Sequence, residues 1–167
     1  MPPPHPSLPP QSCILKALGE HALSFKNPAI VHVGANLAFQ NHNDPLTQLI
    51  IQQPSLRVVL VEPQPHIAAR LRNATRGYEN VFVHQAAACR SDAANITFWE
   101  IDQSKLRGSE IWFVREQQIA SLDRTHLLKH KAFAHNIAHL TRGIEVPCHS
   151  VRTILQLHAI ATRRVQT

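Results

Sequence analysis

The chain has 167 residues, of which 44% are hydrophobic and 17% charged, and it carries a formal net charge of +6. That length supports one domain with its own core, and the apolar runs fall far short of the ~20 residues that a membrane-spanning helix needs. The basic balance raises nucleic acid as a partner, but Lys and Arg are scattered, with no run beyond Arg163-Arg164, so no nucleic-acid binding is expected.

Residues 1–11 read as a disordered tail: Met1 to Pro10 hold six of the chain's 12 prolines and offer no apolar face. They have neither the charged start nor the apolar stretch of a secretory signal, so a cytoplasmic location is the default expectation. Ser12 to Phe25 has apolar residues near helical spacing, with Ser12 as N-cap, and Asn27-Pro28 ends it. Ile30-Val31-His32-Val33 is a buried-strand candidate that runs into the turn Gly34-Ala35-Asn36. A loop over Leu37 to Asn43 precedes Asp44-Pro45, a helix start with Asp as cap and Pro in the first turn, and Pro54 closes that helix.

Val58 to Val61 is a second buried strand and ends in Glu62-Pro63. Pro65 opens a helix with Ile67, Ala68, Leu71 and Ala74 inward, stopped by Gly77. Val81 to Ala88 is a third strand. Strands alternating with helices predict an α/β fold with a mostly parallel sheet. Ile96 to Ile101 and Ile111 to Val114 read as short strands around a polar loop, Asp102 to Ser109. Gln117 to Leu140 is helical by pattern, with a break near Ser121-Leu122-Asp123, and Gly143 stops it. Ile144 to Cys148 is a strand, and Ser150 caps a last helix carrying Ile154, Leu155 and Leu157. Residues 161–167 form a polar, basic tail.

The order strand, glycine turn, helix, strand, acid is the arrangement that holds a nucleotide-like ligand. Gly34 permits close backbone approach, and a carboxylate at the end of the second strand accepts hydrogen bonds from ribose hydroxyls. Pro63 keeps Glu62 extended. The same residues also suit an ordinary strand-to-helix turn and a solvated strand-end carboxylate.

Val-His-Val-Gly-Ala-Asn (31–36) followed by Val-Leu-Val-Glu-Pro (59–63) resembles the cofactor-binding half of the class I, Rossmann-like S-adenosylmethionine-dependent methyltransferases. More narrowly, the chain is similar to the FkbM-type methyltransferase family. Asn43-Asp44-Pro45-Leu46, Leu71-Arg72-Asn73, Val83-His84-Gln85-Ala86-Ala87 and Ile96-Thr97-Phe98-Trp99 carry the later matches, and the similarity runs from about Ile30 to Ile160 within a domain spanning 12–160.

The resemblance implies S-adenosylmethionine as cofactor and O-methylation of a small molecule or glycan acceptor. It places Gly34, Ala35 and Asn36 at the methionine part, Glu62 with Pro63 at the ribose, and Gln85 and Ala86 at the adenine. Two positions depart from the pattern: His32 stands where the family has an acid, and Ala38 where the turn has a further glycine. Family members continue after the segment matching Val146 to Ile160 with a strand ending in an acidic run, and the second half of the sheet follows. Here the polar tail follows instead. The resemblance therefore implies an incomplete, C-terminally truncated domain. Its first strand would have an uncovered edge prone to self-association, and it would transfer little or no methyl. A non-catalytic remnant that binds cofactor or a protein partner is the alternative.

No nucleophile motif is present, and the sequence does not single out a catalytic base. His126/His130 and His135/His139 have the i, i+4 spacing that can chelate zinc, but neither pair contains the Glu of HExxH, and the two pairs fall on opposite faces of a continuous helix, so no metal is expected. The three cysteines, Cys13, Cys89 and Cys148, have no zinc or disulfide spacing. Buried, unpaired thiols in a reducing compartment are the expectation.

Overall fold

The computed structural model describes residues 28–36, 45–106, 120–129 and 137–158, together with Ala17, Glu20, His21 and Ser24. Ala17, Glu20 and His21 are helical, as expected for the first segment. The Pro-rich tail, the loop over Leu37 to Asn43 with its Asp44 cap, the strand expected at Ile111 to Val114, and the C-terminal tail lie outside the described residues.

Three strands rich in Val, Ile and Leu form one parallel sheet: β1 (Ala29–Val33), β2 (Arg57–Val61) and β3 (Val81–His84), in the order β1-β2-β3. The helix α1 (Pro45–Gln52) links β1 to β2, and α2 (Pro65–Ala74) links β2 to β3. Pro65 sits in the first turn of α2, where its missing N–H costs nothing.

The period-2 alternation of β2 feeds both faces. Val58 and Leu60 pack with Ile50 of α1 and with Ile67 and Leu71 of α2. Val59 and Val61 pack on the other side with Ile154 of a late helix, α5 (Val151–Leu157). Residues Val58 to Val61 are 0% exposed, as expected for a parallel strand covered on both faces.

The later strands build a separate four-stranded sheet rather than extending the first. They are β4 (Ala87–Cys89), β5 (Ala93–Ile101), β6 (Ala120–Ser121) and β7 (Thr141–Ser150), in the order β4-β7-β5-β6. β4 and β7 are parallel, while β5 is antiparallel to both β6 and β7. Among the described residues, a 3-10 turn (Gln103–Lys105) and the short helices α3 (Arg124–Leu128) and α4 (Ile137–Leu140) lie between these strands. Ile101, Leu106, Leu127, Ile137 and Leu140 form their core.

Several expectations change. The strand expected over Val81 to Ala88 is two strands, because the chain leaves β2 at His84 and joins β7 at Ala87. Within the helix expected over Gln117 to Leu140, Ala120-Ser121 is instead the strand β6, and Asp123 then caps α3 by accepting from the Thr125 N–H.

Gly143 stops no helix. It lies inside β7 opposite Trp99, where a Cβ would come within 2.8 Å of Thr97 Cγ2. The position favours glycine through packing, because any side chain there forces Thr97 of β5 to shift. Cys89 and Cys148 are not idle thiols: β4 and β7 bring their Cα atoms to 5.8 Å in a disulfide that spans 59 residues of sequence. Among the described residues no strand lies beyond β1, so β5 and β7 do not fold back to cover its edge. None of the described helices is long and apolar enough to cross a membrane.

Candidate functional site

The site begins where β1 gives way to its turn. Gly34 has φ 71°, in the left-handed region that glycine enters without steric cost. This fold-back lets the Gly34 and Ala35 N–H groups both donate to the Val61 carbonyl, at 2.9 and 3.1 Å. Asn36 follows at φ 49°, a conformation Asn tolerates better than most side chains do. Its N–H donates to Glu62 Oε2 at 3.0 Å.

Glu62 leaves the end of β2, and its own N–H donates to the His84 carbonyl at 3.0 Å. Its Oε1 accepts from the Gln64 N–H at 2.9 Å. The residue is 3% exposed. Burial pushes its carboxyl above the usual range, while the N–H groups of Gln64 and Asn36 pull the other way. Oε1 also accepts from the Gln64 side-chain amide at 3.4 Å, whereas Oε2, which takes only the Asn36 N–H, has an acceptor position left for another donor.

These residues surround a cavity of about 310 Å³ at the C-terminal ends of the parallel strands. Gly34, Asn36, Glu62, Pro63 and Ala86 line it from the first sheet, and Phe98 of β5 closes it from the second. Its size is that of a small-molecule site. The Asn36 side-chain oxygen Oδ1 is buried with no hydrogen-bond partner. A buried acceptor left unpaired is costly unless a ligand supplies the donor.

Two expected residues fall elsewhere. Ala35 is buried in the first core, and the Gln85 amide oxygen accepts from Arg72 at 2.9 Å on the exposed surface, so neither lines the cavity. His32 does not line it either. It shares a face of β1 with Ile30, which packs on the first core, because alternate residues of a strand point the same way.

The second sheet contributes a charged pair that sequence reading missed. Glu100 of β5 stands opposite Arg142 of β7, and its Oε1 accepts from Arg142 Nε and NH2 at 2.8 and 2.7 Å. This forked contact raises the guanidinium's affinity for its proton. Glu100 Oε2 is buried without a hydrogen bond, 4.0 Å from His66 Nδ1 at the start of α2. Nothing local in the sequence links residues 42 positions apart; only the β5–β7 register does.

Among the described residues no group of three or more His, Cys, Asp or Glu side chains is arranged to hold a metal ion. His126 and His139 lie in separate helices, α3 and α4, and their expected partners His130 and His135 fall outside the described residues. No family model, no curated protein and no solved structure matches the chain.

Proposed function

We propose that the cavity between Gly34, Asn36, Glu62 and Ala86 binds S-adenosylmethionine and that the chain is a methyltransferase of the Rossmann-like class. The acceptor would be the oxygen of a small molecule or glycan. The observation that carries this reading is the pairing of two acceptors on one cavity: the buried, partnerless Asn36 Oδ1 and the Glu62 carboxylate. They suit a ligand that presents an ammonium to one and vicinal hydroxyls to the other. The cofactor brings a methyl group already activated on a sulfonium. The protein's part is to hold and orient it and to exclude water, with the apolar wall of Ala86 and Phe98 against its flat base.

Titration calorimetry with S-adenosylhomocysteine tests the reading. The chain binds it, and Glu62→Ala loses a charge-assisted hydrogen bond worth about 1.5–3 kcal/mol, or roughly 10- to 150-fold in affinity. No heat with the unmodified chain, or equal affinity in the variant, overturns the assignment. Turnover over a panel of hydroxylated acceptors then identifies the substrate.

A further inference from the structure

Three histidines from three elements meet on the side of the parallel sheet away from α1 and α2. His84 ends β3, His149 lies in β7, and His158 follows α5 directly. His84 Nε2 is 2.8 Å from His149 Nδ1, and His84 Nδ1 is 3.1 Å from His158 Nε2. Both nitrogens of His84 are thus engaged, and the imidazoles form a continuous hydrogen-bonded line.

We infer that His84, His149 and His158 form an acid-released latch that pins the C-terminal end of α5 to the parallel sheet.

The argument is a count of protons. Three neutral imidazoles carry one N–H each. Two of these make the two bridges, and the third sits on an outer nitrogen. A fourth proton fills the remaining outer nitrogen and leaves both bridges intact. A fifth must land on a bridging nitrogen and set N–H against N–H, so a bridge breaks.

The charged neighbours decide which one. Asp92, whose carboxylate takes the Ser150 N–H at 2.6 Å, lies at the His149 end of the line. Arg57 of β2 faces the other end: its NH1 donates to the His158 carbonyl at 2.9 Å, and its guanidinium lies 5.2 Å from the centre of the Phe82 ring. A second charge therefore meets repulsion at His158. Burial and the neighbouring imidazoles of His158 and His149 also lower the affinity of His84 for a proton, to a pKa of about 4.

His84 stays close to His149 because β4, which begins three residues after His84, pairs with β7 and is joined to it by the Cys89–Cys148 disulfide. The start of α5 is likewise fixed, with Ser150 Oγ accepting from Thr153 N–H and Asp92 accepting from the Thr153 hydroxyl. The member tied by neither strand pairing nor the disulfide is His158, held besides the latch by Arg57 at its carbonyl and by the Phe82 ring. Its release lifts the end of α5 from Phe82, Val59 and Val61, the sheet face that Ile154 covers.

Hydrogen exchange by mass spectrometry on the full chain tests this, with rates corrected for intrinsic pH dependence and α2 as internal reference. Protection of residues 154–158 relative to α2 falls about tenfold between pH 7 and pH 4.5. His84→Gln abolishes that pH dependence. An identical fall in the variant overturns the latch. Should the variant not fold, histidine ring resonances of the unmodified chain decide: coupled titration, with one member protonating only well below pH 6, supports it. Three independent titrations near the ordinary value of about 6.5 overturn it. Stabilisation by stoichiometric zinc at pH 7, reversed by a chelator, also overturns it in favour of a metal site.

Discussion

At the residue scale, Glu62 and His84 respond to pH in opposite senses. Burial raises the Glu62 pKa above 4.5, so the folded chain holds that proton more tightly than the unfolded chain does. Ionising Glu62 therefore costs stability as pH rises through this range. The same rise creates the carboxylate that accepts hydroxyl donors, so affinity for an adenosyl ligand increases over it; calorimetry at several pH values measures this. His84 has its pKa lowered from 6.5 to about 4, so the unfolded chain binds the extra proton first. Its contribution is fully present above pH 6.5 and is lost as pH falls toward 4. After allowance for solvent screening of a half-exposed ring, about 1–2 kcal/mol disappears across that window. Urea unfolding at pH 7 and pH 4.5, with and without His84→Gln, isolates it. His32 gives a third residue-scale test. Since it does not line the cavity, His32→Asp leaves cofactor affinity unchanged within about twofold. It also lowers stability by roughly 1–3 kcal/mol by placing a carboxylate toward the first core.

At the scale of elements, the β5–β7 pair is the stiffest prediction. Gly143→Ala puts a methyl group 2.8 Å from Thr97 Cγ2 and destabilises by about 1–3 kcal/mol through overpacking. Thr97→Ser removes that Cγ2 while keeping the hydroxyl that donates to Glu145, so the double variant recovers much of the loss. Additive losses in a double-mutant cycle would refute the contact. On the same pair, Arg142→Met strands the Glu100 carboxylate, whose side chain is 2% exposed. The expected cost is about 2–3 kcal/mol, and thermal unfolding reads it.

For the whole molecule, the Cys89–Cys148 bond closes a loop of 59 residues and ties the start of the second sheet to its longest strand. In the chain-entropy account such a closure is worth about 4 kcal/mol. Reduction, or Cys89→Ser with Cys148→Ser, lowers the denaturation midpoint accordingly, and a thiol reagent leaves Cys89 and Cys148 unlabelled in the unreduced chain. The other whole-molecule feature is the edge at β1, which has no strand partner among the described residues, with Val33 beside it 53% exposed. Unpaired strand edges recruit other strands. Sedimentation is expected to show concentration-dependent association, and Val33→Lys is expected to reduce it; a monomer at all concentrations would refute the idea.

Local chemistry alone determined the three parallel strands and their helices. Runs such as Val58 to Val61 are apolar enough to be buried on both faces, and Pro65 marks a helix start by its missing N–H. The Gly34 turn and Glu62 were legible for the same reason: a glycine at a strand end and an acid at the next strand's end are local signals, and the sheet brings them together at one cavity. Pairing between distant segments decided the rest. The split at Gln85-Ala86, the role of Gly143, the Glu100–Arg142 fork, the disulfide and the histidine line all join residues far apart in sequence. No periodicity encodes such partners, because each depends on strand register, and a strand's own residues fix which face is buried but not which strand lies opposite.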